Sequence, residues 1–399
     1  MKKFALVLFI ILLTASFMVI TGGRRPTKDE PAEPEKMEEM EEAVDKDQID
    51  PWILEMREGL DPYRGDINYK TENGMDPNWD TELVLTIGEV ERIRATNTKV
   101  GFVLDAAAGD YTTAQLKGMQ DVFDHLGIDF IGQVDPQFDP AKEKAGVEDL
   151  LTMGADVIIG APIDAVASAE SFRLVKERGK KLVIWSNIPS GYEHGRDFVG
   201  IASAMAEDLG TFTVDMMAEG VTGKTEVAYF YFDASFWVVN LIDGAVKKAI
   251  EDNPNFVIVE ELGFTVESEC FDLMSAAINR HPNIKRVYGT WMVPATFIAD
   301  ACVQMNRPDI KIGAFGIDAP TLVNILMDGN IIGTTSDDPY HIGANLALLC
   351  GYAAIDKPAP FFTITPALPM TKDNIEEIWS IANKIPLPEM VIQALEQQK

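Results

Sequence analysis

Cysteine, histidine and basic residues are all scarce in this 399-residue chain, and each shortage excludes something. The three Cys, at 270, 302 and 350, form no CxxC and no metal-ligand spacing. Buried free thiols are expected, with one disulfide as the alternative. Four His cannot build a His-rich metal centre, and neither a metal nor another cofactor is expected. No GxGxxG opens a helix, and there is no glycine-rich phosphate loop, no GxSxG and no HExxH. Ser190-Gly-Tyr-Glu-His194 brings Ser, Glu and His close in sequence, but a shared loop does not make a triad, and a solvated loop is expected. With 63 acidic residues, adjacent carboxylates arise by chance and do not by themselves indicate hydrolysis. An enzyme is therefore not expected. Lys and Arg number 34, leaving a formal net charge of -29, which argues against nucleic acid or an anionic lipid surface as partner.

The acidity is uneven. Residues 28–50 hold eleven Asp or Glu against three Lys and no aromatic residue, the composition of a solvated segment. Ahead of it, Lys2 and Lys3 precede an apolar run from Ala5 to Ile20, as in an export signal. Cleavage after export and retention as a single anchor both remain open, and either places the rest of the chain outside the cytoplasmic membrane. Residues 1–23 are accordingly read as signal or anchor, and 24–81 as an acidic spacer. A short lead-in helix is expected near Thr86–Ile93.

From residue 99 the chain adopts one rhythm. Val100, Phe102, Val103 and Leu104 form a compact apolar run, as in a parallel strand covered on both faces. Leu116, Met119, Val122, Phe123 and Leu126 then recur at helical spacing. Strands are expected at 99–105, 128–133, 156–160, 181–185 and 197–200, alternating with helices at 111–126, 140–152, 165–178 and 203–219. Gly220-Val-Thr-Gly-Lys224 punctuates the chain, and the alternation restarts with strands at 225–231, 256–261, 285–289, 310–315 and 331–335. A helix at 341–355, a strand at 361–365 and a helix at 371–382 exceed what the second sheet requires. The expected fold class is α/β: two similar open parallel-sheet lobes joined by a multi-strand hinge, with a ligand cleft between them. The expected first lobe comprises 82–222 plus about 341–358, the second 223–335 plus about 359–385, and 386–399 a tail.

In open α/β sheets, ligands bind beyond the carboxyl ends of the strands. Those loops here hold aromatics and short polar groups: Asp105, Asp110 and Tyr111; Asp164; Trp185 and Asn187; Asp233, Phe236, Trp237 and Asn240; Trp291; Asp318; and Asp337. Aromatic faces cover the apolar side of a small solute, while Asp and Asn give directed hydrogen bonds. Each has a plainer alternative. The rings can pack a lobe edge, and Asp110, Asp164 and Asp318 each stand where a helix N-cap is needed.

The order of several segments resembles the periplasmic sugar-binding proteins of ABC transporters, ribose and xylose type, over about residues 82–385. The segments are Lys99-Val-Gly-Phe with Tyr111 and Lys117-Gly118, Gly154-Ala-Asp-Val-Ile-Ile159, Gly179-Lys-Lys-Leu-Val-Ile184, Gly244, Ile312-Gly-Ala-Phe-Gly-Ile-Asp318 and Asp338-Pro-Tyr-His-Ile-Gly343. The resemblance implies two lobes closing over one solute, recognition of the closed form by a membrane permease, and a monomer. It implies that Tyr111 stacks on the solute and that Asp318 binds hydroxyls, and it places Asp337 where a Gln is common. The chain departs from the pattern at three places: Ser186-Asn187 replaces Asp-Arg, Leu241 stands where an Arg is common, and Trp291 falls near a usual Asn. Forked cationic donors are thereby missing. A small neutral sugar or polyol leads as the solute, while the aromatics and unpaired Asp residues would also suit a less hydroxylated or cationic one. Delivery to a permease and signalling to a membrane receptor use the same cleft, and both stay open.

Overall fold

A computed structural model describes residues 45–67, 69–71, 74–107 and 109–398. The expected signal or anchor, and most of the acidic spacer, lie outside these residues. The described residues open with α1 (Pro51–Met56), β1 (Asn78–Trp79) and α2 (Ile87–Arg94). Thr86 caps α2 in a reciprocal box with Glu89, which fixes the start of this helix. The first run of alternation is β2 (Lys99–Val103), α3 (Gly109–Leu126), β3 (Asp129–Val134), α4 (Pro140–Thr152), β4 (Val157–Gly160), α5 (Ala165–Glu177), β5 (Lys181–Trp185) and β6 (Ile201–Ala204). After α6 (Ala206–Ala218) comes the second run: β7 (Thr225–Phe232), α7 (Trp237–Asp252), β8 (Phe256–Phe264), α8 (Glu269–Arg280), β9 (Ile284–Trp291), α9 (Met292–Gln304), β10 (Lys311–Phe315), α10 (Ala319–Leu326) and β11 (Ile331–Ser336). The chain closes with α11 (Pro339–Ala354), β12 (Phe362–Thr365), β13 (Leu368–Thr371), α12 (Ile375–Ala382) and α13 (Glu389–Glu396).

Two sheets result. The first is fully parallel, in the order β1-β12-β6-β5-β4-β2-β3. The second runs β13-β11-β10-β9-β7-β8, parallel except for β13, which lies antiparallel to β11. Each sheet has its own apolar core, with Val103, Ile158 and Ile364 buried in the first and Phe230, Ile298 and Leu368 in the second.

From β6 onward the chain crosses between the lobes three times: from β6 to α6, from β11 to α11 and from β12 to β13. The crossings are hydrogen-bonded to one another. Met205 N donates to Thr365 O (3.0 Å), and Thr365 Oγ1 donates to Asp337 O (3.1 Å). Such a bundle of strands can flex as a hinge without unfolding either lobe.

The structure changes four expectations. The strand expected at 197–200 lies at Ile201–Ala204, because residues 193–198 are consumed by a turn in which Asp197 N donates to Glu193 O (2.9 Å) and Gly195 N to Phe198 O (2.9 Å). Helix α6, expected in the first lobe, packs on the second: Thr213 Oγ1 lies 3.0 Å from Thr335 Oγ1. Strand β12, expected in the second lobe, pairs with β6 of the first, Phe362 opposite Ile201. Finally, the expected tail contains α13, whose Val391 and Ala394 are buried in the second core.

The part of the expected spacer within the described residues is not loose. Ile53 and Met56 join the core beneath α3 and α11, Leu60 enters the second-lobe core, and Tyr69 enters the first. Asp80, fully buried, accepts from Arg64 Nε (3.0 Å), and Arg57 Nε lies 3.4 Å from it. The described residues between 45 and 86 thus form a strap across both lobes.

Candidate ligand cleft

The carboxyl ends of both sheets meet at the crossings, and most of the expected residues gather there. On the first-lobe side, Trp185 ends β5 and Tyr111 lies in the first turn of α3. Their rings stack at 5.9 Å between centroids, with planes 19° apart. Phe102 supports Trp185 from beneath at 6.2 Å. Tyr111 OH donates to Asp337 Oδ2 (3.0 Å), tying the stack to the second crossing. The other oxygen of that carboxylate, Asp337 Oδ1, is buried and has no hydrogen-bond partner. Burial pushes the Asp337 carboxyl up to about 6, and the neighbouring Asp338 charge pushes the same way. Asp105, just beyond β2, is also raised by burial to about 6. The Tyr111 hydroxyl is driven well above its usual range by burial and by Asp337.

On the second-lobe side, Trp291 ends β9. Its Nε1 donates to Glu267 Oε1 (2.6 Å), and Phe232 and Phe264 flank the ring, each at 5.4 Å. Several residues at or just beyond the strand ends take the left-handed backbone that side chains disfavour: Phe138 (φ 55°), Ser186 (φ 61°), Thr290 (φ 57°) and Asp338 (φ 61°). Such strain collects where a ligand site must be held in shape.

The two walls touch. Ala319 N donates to Asp110 Oδ2 (3.3 Å), and Val238 N to Asn187 Oδ1 (3.0 Å). Phe236 meets Phe138 edge-on at 5.9 Å, and Trp237 meets Phe362 at 5.8 Å. Asp110 and Asn187 therefore act as latches between the lobes.

Other expected residues have local duties. Asp164 accepts from Val166 N and Ala167 N as the cap of α5, and Asp318 accepts from Thr321 N (2.8 Å) as the cap of α10. Asn240 ties its own loop, accepting from Phe236 N and donating to Phe232 O. The Asp233 residue is exposed at the rim. Sequence reasoning missed Phe138 and Glu267. Phe138 follows β3 and could have been found by the same strand-end rule, whereas nothing local marks Glu267 as the partner of Trp291.

The Ser190–His194 loop is no triad. His194 Nε2 lies 3.0 Å from Val199 O, and Glu193 pairs with Arg196. Cys270, Cys302 and Cys350 are buried and free. Among the described residues no group of three or more His, Cys, Asp or Glu could hold a metal ion.

A model of the periplasmic binding protein domain matches residues 100–357, well over half of the chain. The chain belongs to that family. As a periplasmic binding protein domain it is a binder rather than an enzyme, and an extracytoplasmic place of work follows from membership. Solved structures share the two-lobed fold. One is a solute-binding protein from Bacillus halodurans C-125 with bound myo-inositol, at 17% identity and TM-score 0.62, covering 71% of this chain and 98% of that one. Another, from Agrobacterium vitis with bound alpha-D-tagatopyranose, has 16% identity and TM-score 0.65, covering 73% and 100%. The arabinose-binding protein of Geobacillus stearothermophilus has 16% identity and TM-score 0.62, covering 70% and 98%. No curated protein matches. The strap at 45–86 precedes the matched periplasmic binding protein domain.

Proposed function

We propose that this chain captures a small hydroxylated solute, a sugar or polyol, by closing its lobes, and presents the closed form to an ABC permease outside the cytoplasmic membrane. The observation that carries the reading is the Tyr111–Trp185 stack tied to Asp337 at the crossings, with the opposite wall latched across it at Asp110 and Asn187. The aromatic pair offers an apolar face, and the carboxylates offer acceptors for hydroxyl donors. Relatives of the same fold hold myo-inositol and alpha-D-tagatopyranose. Asp105, Trp237, Trp291 and Asp318 complete the proposed lining.

Native mass spectrometry of freshly purified protein, followed by a thermal-shift screen of sugars, polyols and their amines, tests this. A true ligand raises the melting temperature by mass action, with a shift that keeps growing with the logarithm of its concentration above the dissociation constant. Tyr111→Ala is expected to weaken that ligand about tenfold, the worth of one aromatic contact of roughly 1.4 kcal/mol. An unchanged dissociation constant would remove Tyr111 from the site.

A further inference from the structure

The cleft has an imbalance that a neutral solute leaves unanswered. The loops at 104–107, 135–139, 161–164, 233–236, 265–268, 290–291, 316–318 and 337–338 carry no Lys and no Arg. They do carry Asp105, its neighbour Asp135, Asp233, Glu267 and Asp337, together with the helix caps Asp139, Asp164, Asp318 and Asp338. Cations on the neighbouring segments are engaged with other partners. Lys142, exposed at the mouth, donates to Gln137 Oε1 (2.8 Å). Arg196 pairs with Asp197 and Glu193. Lys384 lies over the Tyr340 ring and donates to Met56 O (2.6 Å). His341 meets Asp338 Oδ1 through Nδ1 (2.7 Å) and Met56 O through Nε2 (2.9 Å).

Two carboxylate oxygens are left over. Asp338, fully buried, has no partner at Oδ2, and Asp337 has none at Oδ1. Asp337 holds the Tyr111 hydroxyl with its other oxygen, so the unpaired oxygen belongs to a carboxylate fixed at the aromatic pair. On the opposite wall Thr290, also fully buried and beside Trp291, leaves its hydroxyl unpartnered. A buried acceptor without a donor is costly, and an ammonium group supplies donors, charge and affinity for ring faces together.

We propose that the solute of this cleft carries a protonated amine, an amino sugar or amino polyol, held by Asp337 with Asp105 against the Tyr111–Trp185 pair. The inference rests on the solute-capture reading above and replaces the neutral solute expected from resemblance. The hydroxyls of such a solute meet Thr290 and the remaining carboxylates, and its ammonium supplies from the solute side the cationic donors that the protein lacks. Burial holds Asp105 and Asp337 near 6, so acidification protonates the carboxylates that the amine needs.

Calorimetric titration of the full chain with matched pairs tests the proposal, using glucose against glucosamine, galactose against galactosamine and myo-inositol against its amino derivative. For the pair that fits, the amine is expected to bind at least tenfold tighter at pH 7.5 and to lose about tenfold by pH 5, where a carboxyl titrating near 6 is about one-tenth ionised. Asp337→Asn is expected to bring the two members of the pair to similar affinity, and Asp105→Asn serves as the second variant if the first does not fold. A neutral member that binds as tightly as its amine overturns the proposal. Binding of other small solutes, with none of the amines, also overturns it but leaves solute capture standing. No binding by any solute in the screen removes both.

Discussion

Asp243 shows how one buried carboxyl can set the pH behaviour of a lobe. It lies on α7 and accepts from Tyr288 OH (2.7 Å) and Phe232 N (2.9 Å). Burial outweighs both hydrogen bonds and raises its carboxyl to about 7. The unfolded chain titrates near 4, so between about pH 4 and 7 the folded state holds a proton that the unfolded state lacks. Its contribution to stability is therefore fully present below that window and is lost as pH rises through 7. The ligand-free protein should melt at a higher temperature at pH 5.5 than at pH 8, and Asp243→Asn should reduce that difference to the share left by Asp105 and Asp337, whose carboxyls are raised in the same direction; scanning calorimetry at both values checks it. A mutant slope as steep as that of the parent would exclude Asp243 as the source. Residues of this kind were poorly legible in the sequence. Asp243 sits in a helical stretch like any surface acid, and only tertiary packing reveals the burial. Tyr111, Trp185 and Trp291 were legible because strand ends point at a cleft whatever their side chains. Asp164 and Asp318 followed the capping alternative, which the spacing to their helices had offered.

Among the elements, α3 and α11 make the closest crossing. A Cβ on Gly118 would stand 1.9 Å from Tyr340 O, and one on Gly343 would stand 2.0 Å from Gln115 O. Gly118→Ala therefore forces the helices apart, and a loss of about 3 kcal/mol in urea denaturation is expected. Since α3 carries Tyr111, weaker solute binding should accompany the loss. The strap makes a different prediction. Asp80→Ala would leave Arg57 and Arg64 without their shared buried carboxylate, and Arg57 already has its guanidinium pKa lowered by burial. A loss of about 3–5 kcal/mol is expected by the same measurement. Strands and helices between residues 99 and 336 were legible because apolar runs and helical periodicity agree there with the Gly and Asp punctuation. Strand β6 was not, since Ile201-Ala-Ser-Ala204 has little apolar weight and takes its identity from β5 and β12 on either side. The strap escaped notice for a related reason: its anchors are few and scattered, Ile53 and Met56 in one core, Leu60 in a second and Tyr69 in a third.

At the scale of the whole molecule, closure is the behaviour to measure. Addition of a ligand found by the screen should lower the radius of gyration in small-angle scattering, and an unchanged radius at saturation would count against lobe closure. The two-lobe plan was legible from the restart of the rhythm after Gly220. The lobe assignment of α6 and β12 was not, because composition does not record on which side of a hinge a segment settles. The strap adds a bound of simple length. Leu60 is seated in one core and Tyr69 in the other. The backbone between them, fully extended, reaches roughly 30 Å. Opening can separate those two seats no further unless one ring or side chain is pulled from its core, so the strap is a tether whose slack sets the widest gape of the molecule.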